Sequence, residues 1–291
     1  CPTRINSACR TQHIGHGTNA LRAANGDRFL TSPFDAMAHS FDRDRALPNG
    51  VAAKVRTTIL SALASGRNAA ARERPRLLDL GAGTGRIGWP FVAAGDDYVG
   101  IDLSYGMLRV LAGRCDHGHR AALVQGDGCA LPFADAVFDA ILLVQIFGGL
   151  RGWRRLVDEG RRVLRPDGAL VLGRTVTPGE GVDARMRQHL LALLDTRHER
   201  QNAREEAERY LTSKASAASH LVGAIWRAER SPRAFLDRHA TAARFSQLPR
   251  ATREDALRTL AAWAQTQFGG LDAMFPETHR FEMRVFRFSG E

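Results

Sequence analysis

The sequence predicts an α/β protein built on a doubly wound, mostly parallel sheet, and three observations carry that expectation. Short apolar runs alternate with helical segments across residues 77–173. The runs are continuous rather than alternating in polarity, as expected of strands covered on both faces of a parallel sheet. The first run passes directly into Gly81-Ala-Gly83-Thr-Gly85 and then into a helical pattern, the layout of a strand–turn–helix unit that presents backbone N–H groups to a ligand.

The elements follow in order. Residues 1–33 are polar, rich in glycine, asparagine and other small residues, without sustained periodicity, and read as a loose arm. Phe34, Met37, Ala38 and Phe41 recur at helical spacing, and Val51, Val55, Ile59, Leu60 and Leu63 mark a second helix that stops near Gly66. Five strands are then expected at Leu77–Leu80, Tyr98–Leu103, Ala121–Gln125, Phe138–Val144 and Ala169–Leu172, with helices at Ile87–Ala94, Met107–Leu111 and Trp153–Leu164 between them. Right-handed crossovers would join them into one sheet.

Past Val176 the chain reads as polar and helical to about Asp237, with Met186, Leu190, Leu193 and Leu194 on one stripe and Leu211, Leu221, Val222, Ile225 and Trp226 on others. A sixth strand is expected at Ala243–Leu248, then a helix capped at Thr252 by Thr252-Arg-Glu-Asp255. Phe281–Phe288 alternates apolar and polar residues and predicts a half-exposed last strand. The resulting division is a 1–33 arm, a 34–176 core, a 177–238 helical insertion after strand five that would serve as substrate lid, and 239–291 completing a seven-stranded sheet.

Composition narrows the function classes. With 44% hydrophobic and 25% charged residues in 291, the chain has enough apolar material for a large core. No apolar run approaches the ~20 residues of a membrane helix, and the start of the sequence carries no apolar block with a small-residue cleavage site. A soluble, cytoplasmic protein is expected. Cys1, Cys9, Cys115 and Cys129 show neither CxxC pairing nor a histidine spacing for zinc, so no structural metal or disulfide framework is expected. The net charge of +10 is carried almost wholly by arginine, since Lys54 and Lys214 are the only lysines. The arginines are scattered among acids, which favours a solvated surface over a nucleic-acid footprint without eliminating the latter.

Chemistry concentrates in four motifs. Leu77-Leu-Asp79-Leu-Gly81-Ala82-Gly83-Thr-Gly85-Arg86-Ile-Gly88 is the strongest. Glycines allow a sharp turn and close ligand approach, so the bare alternative of a turn without a ligand is disfavoured by the presence of three. A dinucleotide fingerprint would place glycine at position 86, where Arg86 stands. Gly100-Ile-Asp102-Leu103-Ser104 puts a short carboxylate at the end of the second strand, and Ser104 also suits a helix cap. Gln125-Gly-Asp127-Gly128-Cys129 with Leu131-Pro-Phe133 follows the third strand, and Arg165-Pro-Asp-Gly168 precedes the fifth.

Taken together and in this order, these motifs resemble those of class I S-adenosylmethionine-dependent methyltransferases, with the pattern of small-molecule members of the ubiquinone/menaquinone type. The resemblance implies a Rossmann-like sheet and S-adenosylmethionine as cofactor, S-adenosylhomocysteine being its product. It assigns Asp79 to the methionine amino group, Asp102 to the ribose hydroxyls and Asp127 to the adenine amino group. Gly81, Ala82, Gly83 and Gly85 would form the turn around the cofactor, with Gly128 and Cys129 near the adenine and Leu103 among the cofactor-binding residues. Phe34-Asp35 through Phe41-Asp42 resembles an aromatic–Asp helix that covers the cofactor in that family, often with tyrosines where phenylalanine stands here.

The acceptor is less legible. Acceptors approach the end of strand four in this family, which reads Val144-Gln145-Ile146-Phe147 and contains no Asn-Pro-Pro-Tyr motif. Gln145 is expected to line the cofactor or acceptor cleft, against a plain structural hydrogen bond. The candidate catalytic groups are His39, Gln145 and His189, with His198, His220 and His239 as further bases, and ordinary surface or satisfied histidines are the competing reading for each. Arg185, Arg187 and Arg197 could meet an acidic substrate. A small-molecule acceptor is the leading partner, nucleic acid or protein the alternative acceptor, and homodimerisation stays open. A catalytically silent partner subunit of the same fold is the reading from another class.

Overall fold

The computed structural model describes residues 21–23, 32, 34–65, 74–115, 119–147, 150, 152–194, 197–240, 245 and 248–289. Its strands are β1 (Leu21–Ala23), β2 (Arg76–Leu80), β3 (Asp97–Asp102), β4 (Ala122–Gln125), β5 (Phe138–Val144), β6 (Leu164–Val176), β7 (Ala217–Arg230) and β8 (Phe275–Arg287). They form one sheet in the order β1-β4-β3-β2-β5-β6-β8-β7. β1 through β6 are mutually parallel, β8 runs antiparallel to β6, and β7 antiparallel to β8. The expected mostly parallel sheet of seven strands is therefore present, with the three-residue β1 added at its edge from within the stretch read as a loose arm.

The helices are α1 (Ala38–Arg45), α2 (Val51–Ala64), α3 (Trp89–Ala93), α4 (Tyr105–Arg114), α5 (Trp153–Val163), α6 (Val182–Leu193), α7 (Arg197–Lys214), α8 (Pro232–Ala240) and, last, α9 (Arg250–Gln267). Burial on both faces explains the continuous apolar runs. Leu77, Leu142 and Val171 point into a core with Val55, Ile59, Phe91 and Leu108 of α2, α3 and α4. The alternate residues Leu78, Leu80, Ile141, Leu143 and Leu170 point into a second core with Leu156, Val157 and Leu211 of α5 and α7. A third cluster, with Met186, Phe235 and Leu260, joins α6, α8 and α9. Because β3 lies on one side of β2 and β5 on the other, the strand order reverses at β2. A crevice opens at such a switch point beyond the carboxyl ends of the strands.

Three local readings differ from the structure. Residues 217–230, read as helical, form β7. The register of β7 against β8 shifts between Val222 and Ala224, with Gly223 at the irregularity. The shift puts Leu221, Ala224 and Trp226 on the inner face and leaves Val222 and Ile225 exposed on the other, so the apolar residues of the two faces together take a helix-like spacing. The helical part of the 177–238 segment is thus α6 and α7 before β7 and the start of α8 after it. The capping box at Thr252 is not formed: α9 begins at Arg250 behind Pro249, leaving Thr252 inside its first turn, and no side chain caps that end. Of the expected strand at Ala243–Leu248, residues 243–244 and 246–247 lie outside the described residues, while Phe245 is helical. Cys1 and Cys9 also lie outside them, and Cys115 and Cys129 are free thiols. Among the described residues no helix is long and apolar enough to cross a membrane, and no group of three His, Cys, Asp or Glu side chains is placed to hold a metal.

Candidate functional site

The glycine turn sits at the switch point. As β2 ends, the N–H groups of Gly81 and Ala82 both donate to the carbonyl of Ile101 on β3, at 2.8 and 3.1 Å. Gly81, Gly83 and Gly85 have φ of 78°, 56° and 78°, where an L side chain is strained. Their surroundings differ. A Cβ on Gly81 would press on Ile146 and one on Gly85 would collide with Leu111, whereas one on Gly83 would meet nothing closer than the Gly81 carbonyl at 3.9 Å. The outer glycines are thus demanded by packing, and the middle one faces an opening.

Asp102, at the end of β3, looks across this opening. Its Oδ2 accepts from Gly83 N at 2.9 Å and its Oδ1 from Ser104 N at 2.8 Å. Burial raises its pKa, opposed by the backbone donors of Ser104 and Gly83 and assisted by the charge of Asp35. Asp79 lies deeper, almost without solvent contact, and its Oδ2 accepts from the Tyr98 hydroxyl at 2.7 Å. Gly88 makes that pairing feasible, since a Cβ there would occupy the place of the tyrosine oxygen. Burial pushes Asp79 up to about 7 despite the Tyr98 bond, and the charge of Asp102 adds to the shift.

The ends of β3 and β4 form a shelf. Gly126 N donates to the Asp102 carbonyl at 3.0 Å, and Gln125 Nε2 to the Leu103 carbonyl at 3.0 Å. Leu103 is 40% exposed although apolar. Asp127 is exposed, with Oδ1 accepting from Cys129 N at 2.8 Å. Gly128 lies close against Leu156. Asp79, the glycines, Asp102, Leu103, Asp127 and Gly128 are therefore placed around adjoining strand ends.

The aromatic–Asp segment closes one wall through its acids. Asp35 Oδ1 accepts from Ser104 Oγ at 2.6 Å and Gly106 N at 2.9 Å, and Oδ2 accepts from Ser32 N. Burial raises the Asp35 pKa, but those donors outweigh it and leave the carboxyl below its usual value. Asp42 Oδ1 accepts from Thr84 Oγ1 of the glycine turn at 2.6 Å, while its Oδ2 pairs with Arg114 of α4. Neither acid was singled out individually in the sequence; the available signal was their seven-residue spacing, two helical turns, each behind a phenylalanine.

Gln145 lies just past β5, exposed, with φ of 55°, outside the usual range for a residue other than glycine. Its Oε1 accepts from Arg86, whose Nη1 donates to the Arg45 carbonyl at 2.7 Å. Gln145 therefore lies beside Arg86, the residue that follows the glycine turn. The candidate bases are engaged elsewhere or stand in solvent. His39 and His220 are exposed; His189 stacks on Trp263 of α9, centroids 4.2 Å apart; His239 stacks on Phe235 and bonds its carbonyl at 2.9 Å. The side chain of His198, like that of Arg197, lies outside the described residues. Arg185 bonds Gln267, and Arg187 is exposed.

A buried polar group at the start of β8 was missed. His279 is bonded to Thr177 Oγ1 at 2.9 Å and stacks on Trp226, while Glu277 accepts from Asp183 N at 2.8 Å. Both are nearly solvent-free. Extending the alternation of Phe281, Met283 and Val285 backward would have placed them inward.

Comparison with known proteins adds the following. A family model described as a methyltransferase domain matches residues 78–172. A demethylmenaquinone methyltransferase of Clavibacter sepedonicus is 36% identical over 152 residues, 51% of this chain and 59% of the relative. One of Mycolicibacterium paratuberculosis is 30% identical over 208 residues, 68% of this chain and 86% of the relative. The matched stretch spans only about half the length of the first such relatives. Among solved structures, the YcgJ protein from Bacillus subtilis superposes with a TM-score of 0.52 at 21% identity, covering 80% of this chain and 99% of that one, which supports the fold.

Proposed function

The chain belongs to the class I S-adenosylmethionine-dependent methyltransferase family, and from that premise we propose that it transfers a methyl group from S-adenosylmethionine to a small organic acceptor. The observation that carries the reading is the opening at Gly83, where the flanking glycines are closed by packing and the Asp102 carboxylate faces in. A Cβ would fill that cradle, so the residues present suit a ligand that approaches the backbone.

When bound, the donor supplies a methyl group on a sulfonium, which leaves the protein to bind and align. Asp102 holds the ribose hydroxyls: each carboxylate oxygen keeps acceptor capacity beyond its one backbone N–H. Leu103 and Gly128 flank the adenine, and Asp127 takes its amino group through the oxygen not bonded to Cys129. Asp79 holds the amino group of the methionyl end, whose positive charge would favour ionisation of a carboxyl otherwise raised to about 7. Asp35 and Asp42 position the covering segment against the turn and α4. Gln145 and the helices flanking β7 in the 177–238 segment would face the acceptor. The relatives' names make a quinone-type ring the first acceptor to try.

The test is titration calorimetry with S-adenosylhomocysteine, followed by transfer of labelled methyl into a metabolite extract and, separately, into total RNA. Saturable binding with label in small molecules is expected. Label in RNA instead would replace the acceptor class, and binding without any labelled product would favour a silent subunit.

A further inference from the structure

Arg86 occupies the position at which a dinucleotide-binding turn would carry glycine, and its surroundings ask for an anion. Its side chain is only partly exposed, and its two terminal nitrogens meet neutral oxygens, the Arg45 carbonyl and the amide oxygen of Gln145. Among the described residues no carboxylate lies within ion-pair distance of it. Asp42, which is near enough to favour its charge, is already held by Thr84 and Arg114. Arg45 stands close by as a like charge, and both guanidiniums lie over the Phe41 ring, at 4.7 Å for Arg45 and 5.9 Å for Arg86. Burial, opposed by Asp42 and reinforced by Arg45, brings the Arg86 pKa down to about 10. A guanidinium in such a place is costly unless an anion joins it, and its planar fork matches a carboxylate in two-point contact. The amide now facing it belongs to an exposed side chain that can swing away, whereas the Arg45 carbonyl is fixed in α1.

We propose that Arg86 is a carboxylate receptor at the mouth of the glycine turn, with the Gln145 amide as the neutral placeholder that a carboxylate displaces. This rests on the methyltransferase reading. Two sources share the chemistry: the amino-acid end of the methyl donor, and a carboxylate on the acceptor approaching past β5.

The experiment uses the full chain, as wild type, Arg86→Gln and Arg86→Lys, with three calorimetric titrations. S-adenosylhomocysteine carries the amino-acid carboxylate; 5′-methylthioadenosine keeps the nucleoside and thioether but lacks that end; 2-naphthoate, added to protein saturated with S-adenosylhomocysteine, probes a carboxylate on an acceptor, with naphthalene-2-carboxamide as its uncharged match. Arg86→Gln should bind methylthioadenosine as wild type does, showing an intact cradle, and lose about tenfold or more in affinity for one carboxylate probe. Arg86→Lys, which keeps the charge without the fork, should recover part of it. Loss for S-adenosylhomocysteine assigns the receptor to the donor, and loss for naphthoate but not the carboxamide assigns it to the acceptor. Affinities for both carboxylates within about twofold of wild type would overturn the proposal. If wild type binds neither nucleoside, the methyl-donor reading itself fails and the receptor falls with it.

Discussion

Alanine at Gly83 and at Gly85 should produce opposite phenotypes, although only Thr84 separates them in one turn. Both backbones are left-handed, with φ of 56° and 78°, so each substitution carries a strain of about 1–2 kcal/mol. At Gly85 the new methyl also runs into the side chain of Leu111, which is fully buried in α4. Overpacking of this kind adds about 1–3 kcal/mol, for a total of roughly 2–5 kcal/mol. At Gly83 the methyl meets no protein atom closer than 3.9 Å, so stability should fall by the strain alone. It would instead occupy the opening over Asp102. A ligand forced off by a methyl group loses about 1–3 kcal/mol, or roughly 5- to 150-fold in affinity. Urea unfolding of the ligand-free proteins and calorimetry with S-adenosylhomocysteine separate the two effects. Gly85→Ala should unfold at clearly lower urea than Gly83→Ala, which should lose only the strain of about 1–2 kcal/mol while binding poorly. A Gly83→Ala protein that binds S-adenosylhomocysteine like wild type would refute the assignment of the opening to the ligand.

Removal of the Asp102 carboxylate by Asp102→Ala should weaken S-adenosylhomocysteine by about 1.5–3 kcal/mol, because the variant loses both the ribose acceptor and the bond that fixes Gly83 N; unchanged affinity in calorimetry would contradict the role. Asp79 and His239 should set opposite pH dependences. The Asp79 pKa rises on folding to about 7, so its contribution to stability is present below about pH 4 and lost as pH rises toward 7; Asp79→Asn should abolish that decline in urea titrations across pH. Burial first, and then the charges of Arg187 and Arg238, depress His239 to about 4 against its Phe235 hydrogen bond, so its contribution is present above about pH 6.5 and lost as pH falls toward 4. His239→Gln should gain on wild type by about 3 kcal/mol over that acid window, and identical acid profiles would rule out the burial argument.

The parallel strands were legible because burial on both faces leaves their middles almost wholly apolar: Leu77-Leu78 and Ile141-Leu142-Leu143 read as strands without any partner in view. Glycine spacing announced the turn, and the carboxylates at 79, 102 and 127 lie at or just past adjoining strand ends. What failed had local physical causes. The irregularity at Gly223 rephased β7 and made it imitate a helix, and Pro249 moved the start of α9 ahead of the serviceable cap at Thr252. Glu277 and His279 share the inward parity of Phe281, Met283 and Val285; their polar side chains interrupt the apolar run by which that parity is read. Arg86 was read only as the residue that excludes a dinucleotide turn; its lack of a counter-charge depends on where Asp42, Arg114 and Gln145 come to rest, which is set by tertiary structure.

Calorimetric titration of S-adenosylhomocysteine into wild type and Gly83→Ala, with NAD as the competing ligand, tests the central claim most directly. Saturable S-adenosylhomocysteine binding to wild type, loss of that binding in the variant and no saturable heat from NAD are predicted. NAD binding without S-adenosylhomocysteine binding would contradict the account.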